Sequence, residues 1–114
     1  MGILVDKTTN ILKTYRGDSG SFTIKIKAGE VAVNLTGATI RFTTKMYGKS
    51  THAISKNITE HIDSINGITK IILTKTDTNI PAGTYDYDIE VAYSNGNVDT
   101  LVKSKFVVLQ DVSI

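Results

Sequence analysis

The sequence predicts an all-β sandwich of about seven antiparallel strands. Three observations lead there. First, the chain holds sixteen Thr, fifteen Ile and nine Val, over a third of its 114 residues. Side chains branched at Cβ are stiff at χ1 and suit a pleated surface. Second, Thr84 to Tyr93 alternates strictly: Tyr85, Tyr87, Ile89, Val91 and Tyr93 share one parity, while Asp86, Asp88, Glu90 and Ala92 share the other. A side-chain period of two sends the large residues to one face and the three acids to the opposite one. Third, such runs recur at short spacing between Gly, Asn, Asp and Ser turns, and no segment sustains a helical period.

Taken in order, residues 1–9 read as a flexible N-terminal arm, polar after Val5 and without a clear period. Residues 10–114 read as a single sandwich domain. Ile11–Tyr15 is a short first strand, and Arg16–Gly20 is a turn supplied with Gly and Asp. Ser21–Lys27 alternates, with Phe22, Ile24 and Ile26 inward. The chain turns on Gly29, and Val31 and Val33 flank a short extended piece. Ala38–Met46 is a clear strand: Ala38, Ile40, Phe42 and Met46 face inward, and Thr39, Arg41, Thr43 and Lys45 outward. A polar loop at Tyr47–Thr51 leads to a weaker strand, Ala53–Ile58. Thr59–Asn66 is ambiguous, since Ile62 and Ile65 fit a strand end or one helical turn. Asn66-Gly67 is a hairpin dipeptide, followed by the isoleucine-rich strand Ile68–Thr74. Thr76–Gly83 is a turn region with the only proline, Pro81. Ser94–Asn97 is the strongest hairpin turn, with Asn95-Gly96 suited to type I′. The last strand is Val98–Leu109. Val98, Thr100, Val102, Ser104, Phe106 and Val108 share one parity, and Lys103 and Lys105 the other.

Seven strands with these turns fit a sandwich of immunoglobulin type, with a small closed barrel as the alternative. Ala82-Gly83-Thr84-Tyr85-Asp86-Tyr87 resembles the corner that enters strand F of such domains. There a tyrosine bonds back to the backbone upstream. On that likeness Tyr85 is the corner tyrosine, and Tyr87 takes the position that antibody domains give to cysteine. Tyr85, Tyr87, Gly83 and Pro81 are the expected structural anchors. In the same order strand F lies between strands C and G. Its acids should therefore form a row between Arg41 and Lys45 on one side and Lys103 and Lys105 on the other.

Composition excludes several function classes. The chain has no cysteine, hence no disulfide, thiolate nucleophile or cysteine metal site. A chain of this size buries roughly 65% of its unfolded surface, so packing alone can hold it. A net charge of +2 with dispersed basic residues does not point to nucleic acid. Three apolar residues near the start are too few for a signal core or a membrane span. Asp6 stands where a myristoylation motif wants Ser or Thr. Synthesis in a cytoplasm without a targeting signal is the expectation.

No residue pattern rises to a catalytic constellation. Gly17-Asp18-Ser19-Gly20 looks like a serine-protease nucleophile motif, but a triad needs a histidine and a buried aspartate from a much larger frame. The segment reads as a strand-to-strand turn. His52 and His61 lie in or beside polar loops with no third ligand near, and read as surface histidines. Asp77, Asp86, Asp88 and Asp99 are oxygen donors of the kind calcium takes, but no ligand-rich loop accompanies them. Asn34-Leu35-Thr36 and Asn57-Ile58-Thr59 match the glycosylation pattern and, without secretion, carry no role. Tyr85, Tyr87 and Tyr93 would make a carbohydrate platform if exposed; their parity with Ile89 and Val91 assigns them to the core. Tyr15 and Tyr47, near turns, are the candidates for exposed partner contacts.

A wider resemblance covers about residues 15 to 112. Its marks are Arg16-Gly17-Asp18, Leu35-Thr36-Gly37-Ala38-Thr39-Ile40-Arg41-Phe42, Leu73-Thr74 with Asp77-Thr78, Pro81 to Asp88, and Phe106 to Val112. This succession is similar to the immunoglobulin-like modules of tailed-phage virion proteins, in particular the N-terminal domain of the upper baseplate protein family. The resemblance implies a non-enzymatic virion structural protein, tail- or baseplate-associated or capsid-associated, made in the bacterial host cytoplasm. It implies contacts with other phage structural proteins and with copies of itself in a homo-oligomer, with no cofactor, metal, nucleic acid or membrane. A stand-alone carbohydrate- or cell-surface-binding module is the alternative.

Overall fold

A computed structural model describes residues 3–5, 10–46 and 51–110. Ten strands and one short helix lie among them. They are β1 (Leu4–Val5), β2 (Leu12–Tyr15), β3 (Gly20–Lys25), β4 (Lys27–Ala28), β5 (Val31–Ala32), β6 (Thr39–Met46), β7 (His52–Ile58), β8 (Ile68–Leu73), α1 (Lys75–Thr78), β9 (Gly83–Ala92) and β10 (Val98–Leu109). Three of these, β1, β4 and β5, are only two residues long. The longer strands are the ones marked by alternation.

The large sheet has the order β1-β2-β10-β9-β6-β7, and β3-β8 forms a second layer. β9 thus lies between β6 and β10, as the strand order of an immunoglobulin-type sandwich requires. The core sits between the layers. Tyr85, Tyr87, Ile89 and Val91 of β9 are all buried, beside Ile40 and Phe42 of β6 and Phe106 and Val108 of β10. Phe42 stands at the centre of an aromatic cluster. Its ring lies 5.8 Å from Phe22 across the layers, 6.0 Å from Phe106 and 5.5 Å from Tyr87. The edge-on contacts with Phe22 and Phe106 add about 0.5–1.5 kcal/mol each beyond burial.

Four local findings depart from the sequence expectations. One pairing is parallel: β2 runs beside the end of β10, with Leu12 opposite Phe106 and Tyr15 opposite Leu109. β10 also carries a bulge between Thr100 and Val102. Leu101 is the extra residue, so the parity reverses there. Val102 keeps the inner side opposite Ile89, whereas Thr100 pairs with Glu90 on the outer side and Val98 is 48% exposed. The Ser94–Asn97 turn is not type I′, which needs positive φ at two residues. Among the described residues only Asn10 and glycines have positive φ, so Gly96 supplies the single left-handed residue (φ 93°). The Gly96 amide donates to the Tyr93 carbonyl and the Tyr93 amide to Asn97, a three-residue loop of the bulged kind. Finally, Ile62 and Ile65 belong to neither strand nor helix and are 58% and 69% exposed.

Within the segment read as an arm, Leu4–Val5 pair antiparallel with β2, Leu4 opposite Lys13. Ile3 packs half-buried against the core. Residues 6–9 lie outside the described residues.

Candidate interaction surfaces

Gly83, Pro81, Tyr85 and Tyr87 come together at the entry to β9. The Tyr85 ring is 1% exposed, and its hydroxyl donates to the Pro81 carbonyl at 2.6 Å. That is the bond back to the upstream turn which the corner motif implies. Gly83 opens β9 with φ 152°, a conformation L side chains rarely take. Pro81 is exposed and contributes only its carbonyl. The buried Tyr87 hydroxyl donates to the carbonyl of Asn10, whose backbone is left-handed (φ 62°). Asparagine tolerates this region better than other L residues. Burial pushes the Tyr85 phenol above its usual pKa, with Arg16 opposing, and pushes Tyr87 up as well. Neither ring is available as a carbohydrate platform.

Tyr15 ends β2 half-buried, opposite Leu109. Tyr47 lies outside the described residues.

The turn before β9 contains a device that no periodicity in the sequence marks. Thr74-Lys75-Thr76-Asp77 forms a reciprocal capping box at α1. The Asp77 carboxylate accepts from the Thr74 amide at 2.8 Å, and the Thr74 hydroxyl accepts from the Asp77 amide at 3.2 Å. The Lys56 ammonium on β7 also donates to Asp77, at 3.0 Å. Burial pushes the Asp77 carboxyl up, but the Thr74 amide, the Lys56 ammonium and the Thr74 hydroxyl together hold it below the usual value. The fully buried Thr78 then donates its hydroxyl to the Asp18 carbonyl at 2.7 Å. The Gly17-Asp18-Ser19-Gly20 segment is therefore a turn docked on α1, with Ser19 exposed. The signal for this was legible as Thr-x-x-Asp, but a single helical turn gives no period.

His61 is not a surface histidine. Half-buried, it links the residue before β6 to β8: Nε2 lies 2.8 Å from the Ala38 carbonyl and Nδ1 2.8 Å from the Thr69 hydroxyl. The carbonyl can only accept, so Nε2–H donates to Ala38, and the Thr69 hydroxyl, which can donate or accept, completes the pair at Nδ1. His52 is exposed on β7.

The outer face of the large sheet carries the acidic row of β9 between basic residues. Register sets Arg41 opposite Glu90, Lys45 and Lys105 opposite Asp86, and Lys103 opposite Asp88. Lys105 pairs with Asp86, and Asp88 accepts from the Thr43 hydroxyl at 2.8 Å. The calcium candidates are thus dispersed or engaged. Among the described residues, no group of three or more His, Cys, Asp or Glu is placed to hold a metal ion. No helix there is long and apolar enough to cross a membrane.

The arrangement defines an all-β structural sandwich whose polar groups serve strand pairing and turn closure. Residues 5–113 match the model of the BppU N-terminal domain, and the chain belongs to that family, the N-terminal domain of the phage baseplate upper protein. No curated protein matches the chain. The domain is a phage baseplate structural domain, a virion component that interacts with other phage structural proteins.

Proposed function

We propose that this chain acts as a non-enzymatic connector in the tail or baseplate, holding its neighbours through protein–protein contacts in a repeated, symmetric assembly. The family match over residues 5–113 carries the reading. The sheet architecture supports it. Among the described residues, β7 ends one side of the large sheet and the two-residue β1 the other. Open edges present backbone donors and acceptors to an incoming chain. Residues 1–9 are a second contact element, an arm that reaches a neighbour from the β1 edge, with copies of this chain among its partners. Tyr85, Tyr87, Gly83 and Pro81 keep the frame rigid, and Tyr15 and Tyr47 contribute to contacts.

Quantitative mass spectrometry of purified particles, and of baseplates released from them, tests this. The chain is expected in both, at a fixed multiple of the other baseplate proteins. Its absence from tails, or its presence on capsids alone, would overturn the reading.

A further inference from the structure

The outer face of β6, β9 and β10 holds a basin of about 460 Å³, with His52 of β7 at its side. Its lining is unevenly paired. Asp86 has lysine neighbours on both flanking strands and pairs with one, Lys105. Asp88 lies opposite Lys103 but accepts from Thr43. Among the described residues the ion pairs are Lys56–Asp77 and Lys105–Asp86. Lys45 and Lys103 therefore line the basin with no carboxylate closed on either. They stand two strands and two residues apart, roughly 12 Å between Cα atoms from strand spacing and rise. Long, flexible chains at that separation can converge on one small anion above β9.

We propose that this basin receives a carboxylate of a neighbouring virion protein, held between Lys45 and Lys103. The inference rests on the reading of the domain as a protein-binding connector. The sign pattern selects a protein partner over a polyanion. Asp86 and Asp88 line the same basin, so a run of phosphates laid along β9 would meet two carboxylates. A single acidic side chain flanked by hydrogen-bond donors satisfies lysines and aspartates together. Like charge along the strand thus rejects one class of ligand while the lysines attract the other.

Zero-length carbodiimide coupling in intact particles tests this directly, because it joins a lysine amine to a carboxylate in contact with it. The expected product links Lys45 or Lys103 to an Asp or Glu of another chain and is absent from the isolated protein. Links to other chains through other lysines only would overturn the basin while leaving the connector reading intact. Absence of the chain from the particles would remove the connector reading itself. As a second measurement, the K45Q/K103Q variant, which sets no like charges opposite Asp86 and Asp88, is expected to fold with an unchanged circular dichroism spectrum and to enter particles at least ten-fold less. Incorporation at the wild-type level would contradict the proposal. So would binding of poly(glycerol phosphate) to the isolated chain that K45Q/K103Q abolishes, since the basin would then serve a polyanion.

Discussion

At the scale of single residues, two tyrosines tie distant segments to the central strand. Tyr85 reaches back four residues to Pro81, and Tyr87 reaches Asn10, 77 positions away. Tyr85→Phe is expected to cost about 1 kcal/mol, the net worth of one hydrogen bond. Tyr85→Ala is expected to cost about 3–5 kcal/mol, the range for truncating a buried aromatic. Urea denaturation measures both. The raised pKa values add a pH signature. A folded phenol with a raised pKa contributes stability below its unfolded pKa, near 10, and that contribution is lost as pH rises from there through the folded value. Wild type therefore loses stability above about pH 10, and Tyr85→Phe/Tyr87→Phe flattens that loss. Gly67 is the other single position with a sharp expectation. It is buried with φ 72°, and a Cβ there would lie 2.5 Å from the Ile26 carbonyl and 2.8 Å from that of Val33. Both obstacles are backbone. Gly67→Ala should cost more than about 2 kcal/mol, since left-handed strain alone is about 1–2. At Gly29, where nothing lies within 4 Å, the strain alone should appear. A Gly67→Ala variant as stable as Gly29→Ala would refute the clash.

At the scale of elements, the capping box at α1 couples β7, β8 and the first turn. Asp77 has a lowered folded pKa. Its stability contribution is present above the ordinary carboxylate value and lost as pH falls through the folded one. Wild type should lose stability below about pH 4, and Asp77→Asn should reduce that slope. An unchanged acid slope in a urea series from pH 6 to pH 2.5 would contradict the assignment. The elements also show how far the sequence could be read. β9 was legible because large residues and acids alternate without interruption and both its neighbours complement it. β10 was legible as a strand but not in its parity. Val98, Thr100 and Val102 alternate smoothly, and the bulge at Leu101 leaves no glycine to mark it. The parallel partnership of β2 and β10 has no local turn signal, since parallel strands are joined through distant chain. His61 looked like a surface residue because its partners, Ala38 and Thr69, are 23 and 8 residues away and neither invites a histidine by type. Thr44 breaks the alternation of polar and apolar residues in its strand: it is fully buried and accepts the Ile54 amide at 3.0 Å where the β6–β7 register shifts.

At the scale of the whole molecule, the charges choose strand neighbours. An acidic β9 between basic β6 and β10 favours this sheet order over one that sets like charges side by side. Each cross-strand pair contributes about 0.2–1 kcal/mol. The Lys105–Asp86 pair is about half exposed on both sides, so it belongs near the low end. Reversing Asp86, Asp88 and Glu90 together to lysine should lower the melting temperature and leave the inner face intact by near-ultraviolet spectra. Reversal without a change in melting temperature would show that packing alone sets the order. The proposed function also acts through the whole molecule: open edges and the segment 1–9 would join this domain to its neighbours. Hydrogen exchange, compared between the isolated chain and the chain in assembled particles, tests it most directly. Amides of residues 1–9 and of the β7 edge are expected to exchange more slowly in particles, with the core strand β9 equally slow in both. Identical exchange of residues 1–9 and β7 in the two states would contradict it.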